Sequence, residues 1–155
     1  KRWPLCHWAD LINMIASSNG SAVLLGHGED EKNMAKEIEE VLSSRAAEKT
    51  VNLVGKLRLD EMAAVIEGCD AVIGGDTGPM HLALALHKPA IGFFGPTLPE
   101  QVGLEALSVK IAVSCEKAGC QNWDCPKGCL SGIGPENVFE ALHKLSFNIE
   151  VRDAL

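Results

Sequence analysis

Short apolar segments alternate with helix-like segments along most of this chain. Apolar runs, most of them closed by glycine, predict buried strands over 22–26, 51–55, 70–75, 89–95 and 109–113. Apolar positions at helical spacing predict helices over 5–18, 31–48, 60–68, 79–87 and 136–146. Strands that alternate with helices form βαβ units, in which a parallel sheet is covered on both faces. The sequence therefore predicts an α/β fold, a Rossmann-like parallel sheet, as one domain over 1–155.

Composition excludes several classes of protein. A net charge of −7 argues against the basic stripe that binds nucleic acid, so we expect no nucleic-acid partner. No apolar run approaches the roughly 18 residues of a membrane span, so we expect no integral membrane segment. The chain begins with Lys1 rather than Met, which is consistent with a piece of a longer protein.

Asp76, Thr77 and Gly78 form an Asp-Thr-Gly tripeptide directly after an apolar run, and two unrelated chemistries use that tripeptide. In aspartic proteases, two such aspartates activate one water molecule. Here Pro79 follows, and proline is favoured at the first position of a helix. The chain also carries one such tripeptide, so a protease would need a homodimer. The strand-turn-helix context favours a helix N-terminus that receives phosphate.

The helix over 79–87 is apolar on nearly every side, so we expect it to be buried with only its first turn reaching solvent. Free amides at such a helix start form an anion site at the carboxyl end of a parallel strand. Thr77, Gly78 and His81 are the candidate phosphate ligands, and Asp76 is placed to accept hydrogen bonds from sugar hydroxyls. The alternative is that Asp76 and Thr77 only cap the helix and His81 only covers it.

Four cysteines lie in a Cys- and Gly-rich loop over 114–134. Cys115, Cys120, Cys125 and Cys129 could form a structural zinc site, remain free thiols or form disulfides. Their spacing lacks the paired C-x2-C pattern of a strong zinc motif. We expect Cys6 and Cys69 to be core residues. Packing, rather than ligand recognition, is the expected role of Trp3, Trp8 and Trp123.

The segment over 76–103 resembles the signature D-[ST]-G-x-x-H-x-A-x-A-x-x-x-P, followed by a strand and F-G-[PA]-T, of the glycosyltransferase family that contains the lipopolysaccharide heptosyltransferases. "KRWP" at 1–4 is similar to the K-x-W-P that opens the second half of those enzymes, and "VLLGHGEDEK" at 23–32 to their strand and acidic loop. The cysteine pattern over 115–138 resembles a tail common among them. The resemblance covers nearly the whole chain in order.

This resemblance implies the C-terminal, donor-binding half of a two-domain enzyme of the GT-B type. The donor would be ADP-heptose, and the reaction an inverting heptose transfer to the lipopolysaccharide inner core. The acceptor domain and its catalytic carboxylate would belong to an absent N-terminal half, so this chain would bind donor without turnover and holds no catalytic residue. The enzyme would be cytoplasmic, at the inner face of the bacterial inner membrane, and act on a lipid-linked acceptor.

The resemblance also implies a role for each matching residue. Asp76 would hold the heptose hydroxyls, and Thr77, Gly78 and His81 the diphosphate. Lys1 would point at the phosphates without a metal ion or cofactor, which agrees with the absence of a D-x-D pair. Asp30 would bind the ribose and Leu57 would line the adenine. Solvated charge is the alternative for Lys1 and Asp30, and ordinary packing for Leu57.

Two other functions remain open from the residues. One is a different enzyme of this fold class, such as a UDP-sugar transferase or an epimerase, which would share the anion site and differ in the base pocket. The other is a non-enzymatic interaction module held together by zinc at the clustered cysteines. Nucleotide affinity that survives a chelator would separate the enzymes from the module.

Overall fold

The computed structural model describes residues 2–104, 108–122, 125 and 128–153. The chain forms two compact units, one of Pro4–Met62 and one of Lys1–Trp3 with Ala63–Leu155, and each is described by itself. Helices alternate with strands in both, and every strand pair among the described residues is parallel. The α/β fold class predicted from the order of segments is confirmed.

The Pro4–Met62 unit is built around its first helix. The elements in chain order are α1 (Leu5–Ser17), β1 (Ala22–Leu24), α2 (Glu29–Val41), α3 (Ser44–Glu48), β2 (Thr50–Asn52) and the start of α4 (Leu59–Glu67). β1 and β2 pair in register, with Val23 opposite Val51. A buried cluster from α1, α2 and α3 forms the core: Ala9, Ile12, Ala16, Ile38 and Ala46.

The helix predicted over 31–48 is wrong in its extent. α2 begins earlier, at Glu29, because Gly28 is its N-cap residue, with a φ of 98° that lies outside the helical region. It stops at Val41, and Ser43 starts α3 as an extended N-cap whose hydroxyl accepts the Ala46 amide at 3.3 Å. A serine that caps a new helix satisfies an amide that a continuous helix would have bonded to its own backbone.

The second unit carries a three-stranded parallel sheet. Its elements after α4 are β3 (Val72–Gly74), α5 (Gly78–Ala85), β4 (Ala90–Phe94), β5 (Val109–Ala112) and α6 (Pro135–Asp153). The strand order is β3-β4-β5, and all five residues of the central strand are buried. α6 was predicted over 136–146; it starts one residue earlier at a proline and continues to Asp153.

Trp3 anchors the core of this second unit. It is 3% exposed, its ring lies 4.8 Å from that of Phe93, and its indole N–H donates to the Ile133 carbonyl at 2.8 Å. The predicted packing role is confirmed for Trp3. Trp8 also packs against a core, that of its own unit, Pro4–Met62. Trp123 lies outside the described residues.

The two cysteines predicted as core residues differ in burial. Cys6 is exposed, which makes that prediction wrong, because the buried stripe of α1 runs along Ala9, Ile12 and Ala16 and Cys6 lies beside it. Cys69 is half-buried, and its thiol donates to the Val65 carbonyl at 3.2 Å. Burial raises the pKa of the Cys69 thiol.

Candidate functional site

The Asp-Thr-Gly tripeptide lies where the sequence predicts, between a strand and a helix. β3 ends at Gly74 and α5 begins at Gly78, with Pro79 in its first turn. β3 lies at one side of the parallel sheet and pairs with β4 through Gly74 and Gly92. The turn therefore leaves the carboxyl edge of a parallel sheet, where α/β proteins bind their ligands.

The start of α5 leaves two backbone amides unused. The amides of Met80 and His81 both donate to the Thr77 carbonyl, at 3.0 and 3.3 Å. Pro79 has no N–H. Among the described residues, no hydrogen bond uses the amide of Thr77 or of Gly78. A Cβ added at Gly78 would meet nothing within 4 Å, so the space beside this residue is open to a ligand. Two free amides at the positive end of a helix dipole fit an anion.

Asp76 and His81 contact each other across this turn. Asp76 Oδ1 lies 3.3 Å from His81 Nε2, and the side chains are 19% and 47% exposed, respectively. Thr77 occupies the N-cap position, yet its side chain makes no capping hydrogen bond and instead lies 3.4 Å from the Gly75 carbonyl. The Thr77 hydroxyl therefore does not cap α5, so capping is not the reason for a threonine at this position. The turn presents a carboxylate acceptor, an imidazole and two amides together.

The predicted burial of this helix is only partly right. Met80 and Ala83 are 1% and 0% exposed, but Ala85 near the C-terminal end is exposed. A helix of eight residues that packs on a sheet buries one face, whatever the composition of the others. Because α5 has apolar side chains on every side, its sequence does not show which face contacts the sheet.

The remaining predicted ligands lie elsewhere in the chain. Asp30 is exposed in the first turn of α2, in the Pro4–Met62 unit. Its neighbours are engaged locally: Glu29 pairs with Lys32 at 2.6 Å, and Glu31 accepts the His27 amide at 2.7 Å. The hydrogen bond from Lys32 lowers the pKa of Glu29.

Leu57, the predicted adenine contact, is half-buried in the same unit and precedes α4. Lys1, the predicted phosphate ligand, lies outside the described residues.

A groove that sequence reasoning missed lies next to Leu57 in the chain. It has a volume of about 470 Å³, and the residues that line it are Lys32, Lys36, Glu39, Asn52, Val54, Gly55 and Lys56. Two of its lysines stand four residues apart on α2, a spacing that places them on one helix face. That spacing is the signal in the sequence that could have indicated the groove. The third lysine, Lys56, lies in the loop after β2, and only the fold brings this loop close to α2.

The cysteine loop packs on the turn after β4. The amides of Gly119 and Gln121 donate to the carbonyls of Gly95 and Pro96 at 2.9 and 2.7 Å. Cys115 and Cys120 are exposed and Cys125 and Cys129 half-buried, and all four are free thiols. Burial raises the pKa of Cys129, and the neighbouring Cys125 adds to the effect. Within the described ranges, no group of three or more His, Cys, Asp or Glu residues could hold a metal ion.

No helix in the described part of the chain is long and apolar enough to cross a membrane.

Comparisons with known proteins match this chain to one family of glycosyltransferases. The family model described as glycosyltransferase family 9 (heptosyltransferase) matches residues 1–130. Lipooligosaccharide heptosyltransferase 2 of Haemophilus influenzae is 39% identical over 100 residues, which cover 64% of this chain and 29% of that protein. Lipopolysaccharide heptosyltransferase 2 of Salmonella typhimurium is 30% identical over 151 residues, 94% of this chain and 42% of that protein. The chain spans less than half the length of these curated relatives.

Solved structures agree with the family match. The structure of E. coli ADP-heptose lps heptosyltransferase II superposes with a TM-score of 0.81 at 27% identity, over 97% of this chain and 43% of that one. E. coli heptosyltransferase WaaC with ADP gives a TM-score of 0.72 at 26% identity, over 92% of this chain and 39% of that one. The resemblance seen in the sequence motifs is confirmed.

Proposed function

Because this chain belongs to glycosyltransferase family 9, the heptosyltransferase family, we propose that it forms the nucleotide-sugar-binding part of an inverting heptosyltransferase. The donor is ADP-heptose and the acceptor is the lipid-linked inner core of lipopolysaccharide. The observation that carries the proposal is the Asp76 turn, where unpaired amides, a carboxylate and an imidazole meet at the carboxyl edge of a parallel sheet.

Each group of the turn has a distinct task in this proposal. The amides of Thr77 and Gly78 donate to the diphosphate, since they point their N–H groups from the positive end of α5. His81 adds a donor to a phosphate oxygen. Asp76 accepts hydrogen bonds from heptose hydroxyls, because a carboxylate beside the phosphates would be repelled. Asp30 holds the ribose hydroxyls and Leu57 lines the adenine.

The reaction would use a base from outside this chain. A carboxylate in an N-terminal acceptor domain removes the proton of the acceptor hydroxyl, which attacks the anomeric carbon of the heptose. The bond from that carbon to the diphosphate oxygen breaks, and the nucleoside diphosphate leaves with its charge met by the helix amides, His81 and Lys1. Attack opposite the leaving group inverts the anomeric configuration. The acceptor places this chemistry at the inner face of the inner membrane.

Calorimetric titration tests the proposal. The chain is titrated with ADP-heptose, ADP and UDP, each without and then with EDTA, and its zinc content is measured before EDTA is added. We expect ADP-heptose to bind more tightly than ADP and both to bind more tightly than UDP, with no effect of EDTA. Preference for UDP would indicate another sugar nucleotide transferase or an epimerase. No nucleotide affinity together with stoichiometric bound zinc would indicate an interaction module and contradict the proposal.

A further inference from the structure

Three lysines converge on one groove of the Pro4–Met62 unit. Lys32 and Lys36 belong to α2, and Lys56 follows β2. Among the described residues that line the groove, Glu39 is the acidic one. Three lysines against one glutamate leave a surplus of two positive charges in the lining, whereas the whole chain carries a net charge of −7. The groove is therefore a local concentration of positive charge on an acidic protein.

The loop that carries Lys56 is held in place by backbone hydrogen bonds. The Gly55 amide donates to the Gly26 carbonyl at 2.9 Å, and the Lys56 amide donates to the Leu53 carbonyl at 3.1 Å. The Lys56 ammonium donates to the Asn52 carbonyl at 2.7 Å, which uses one of its three N–H groups. Lys56 is therefore positioned in the groove and keeps two donors for a ligand.

Lys32 is held in the groove from two sides. A Cβ added at Gly55 would overlap Lys32 Cε, so the lysine stem lies across this glycine. Gly55 has a φ of 69°, a conformation that favours glycine, so the same residue shapes the loop and leaves room for the stem. The Lys32 ammonium donates to Glu29 at 2.6 Å, and two of its N–H groups remain.

Lys36 and Glu39 differ in how far their polar groups are satisfied. Lys36 is exposed, and no hydrogen bond or ion pair between described residues uses its ammonium. Glu39 accepts a hydrogen bond from the Asn52 side chain at 2.8 Å, and the other acidic residues of α2 do not line the groove. The lysines of the groove thus keep most of their donors, while the acid in the lining already has a partner.

We propose that this groove binds a phosphate group, carried by a small molecule or by a lipid headgroup. Lysine ammonium groups bind phosphate as point charges that also donate hydrogen bonds. A phosphate monoester carries a charge of about −1.5 to −2 at pH 7, which matches the surplus in the lining. The volume of about 470 Å³ lies within the range of ligand sites, roughly 300–1,000 Å³, and leaves room for the group that bears the phosphate. The inference goes beyond the proposed function, since none of the donor contacts proposed above lines the groove.

An NMR titration locates the site. Inorganic phosphate is added to the isotope-labelled chain, and the chemical shifts of the backbone amides are followed. We expect the amides of Lys36, Gly55 and Lys56 to shift along one binding curve. Shifts confined to the turn at Asp76, or no shifts at all, would overturn the inference.

Two charge variants test the role of the lysines. Lys36→Gln removes a charge from the groove, whereas Lys49→Gln removes one from the same unit at a lysine that donates to Asn19 and does not line the groove. We expect Lys36→Gln to weaken phosphate binding at the groove about fivefold and Lys49→Gln to leave it unchanged. Equal weakening in both variants would indicate a general effect of charge and overturn the inference, as would unchanged affinity in Lys36→Gln.

Cosedimentation with vesicles identifies what carries the phosphate. Vesicles of phosphatidic acid in phosphatidylcholine present phosphate monoesters, and vesicles of phosphatidylcholine alone are the control. Binding to the first that Lys36→Gln reduces and Lys49→Gln does not would support a lipid headgroup. Shifts at the groove with inorganic phosphate but no vesicle binding would support a small phosphorylated molecule. None of these measurements uses a nucleotide, so their outcome does not depend on whether ADP-heptose binds.

Discussion

Replacing Asp76 by asparagine separates recognition of the sugar from recognition of the phosphates. The amide matches the carboxylate in size but carries no charge. A hydrogen bond to a charged acceptor contributes about 1.5–3 kcal/mol and one to a neutral acceptor about 0.5–1.5 kcal/mol. Because the asparagine oxygen still accepts a bond from a heptose hydroxyl, the substitution weakens ADP-heptose binding by about 1–1.5 kcal/mol, roughly five- to tenfold. Asp76 Oδ1 already contacts His81 Nε2 at 3.3 Å, so we count a single sugar bond.

The same substitution should hardly change binding of ADP. The substitution affects ADP binding through the Asp76–His81 pair, whose side chains are 19% and 47% exposed, respectively. Exposed pairs of this kind are worth ~0–1 kcal/mol, which limits the change in ADP affinity to about fivefold. Removing a negative charge near the phosphates acts in the opposite direction and reduces that loss further.

Calorimetric titration of wild type and Asp76→Asn with ADP-heptose and with ADP measures both effects. Asp70→Asn is the matched control, because Asp70 is an exposed carboxylate that precedes β3 and so lies at the opposite end of that strand. The control should bind both ligands as wild type does. Equal losses for ADP-heptose and ADP in Asp76→Asn would refute the assignment of this carboxylate to the sugar.

Three further changes test other contacts. His81→Ala should weaken ADP and ADP-heptose alike, by about three- to tenfold, because the imidazole contributes a donor to the diphosphate; titration measures this, and a loss confined to the sugar nucleotide would contradict it. Ser43→Ala should destabilise the chain by about 0.5–1 kcal/mol in urea unfolding, since it removes the cap of α3; no change would mean that packing alone begins that helix. Iodoacetamide at pH 8 should alkylate Cys129 more slowly than the exposed Cys120, because the raised pKa of Cys129 leaves less of the reactive thiolate at that pH. Mass spectrometry of the labelled peptides reports the order, and faster labelling of Cys129 would contradict it.

The sequence predicted most elements of the fold and misplaced some of their ends. The strand β4 was found because a continuous apolar run with glycine is typical of a buried parallel strand. The break between α2 and α3 was missed, although Ser43 is a strong cap residue, because helical periodicity continues across it. Periodicity reports which face is apolar, and a cap that interrupts the backbone leaves that pattern almost intact.

The candidate site was predictable to the extent that it is local. Asp76, Thr77, Gly78 and His81 lie within six consecutive positions, and a strand, a glycine turn and Pro79 fix their relative placement. Asp30 and Leu57 came from the family resemblance, and their part in the site stays a prediction. The groove lined by Lys32, Lys36 and Lys56 was missed because its lining comes from segments that only the folded unit brings together.

The sequence by itself determined the succession of strands and helices and the turn at Asp76, because both depend on hydrogen bonds and side-chain periodicity within a few residues. Only the tertiary structure decided which groups are buried. Trp3 is 3% exposed, and its indole N–H donates to the carbonyl of Ile133, 130 positions away in the sequence. Burial depends on contacts between residues far apart in the chain, and no local pattern encodes whether a distant segment will supply a hydrogen bond.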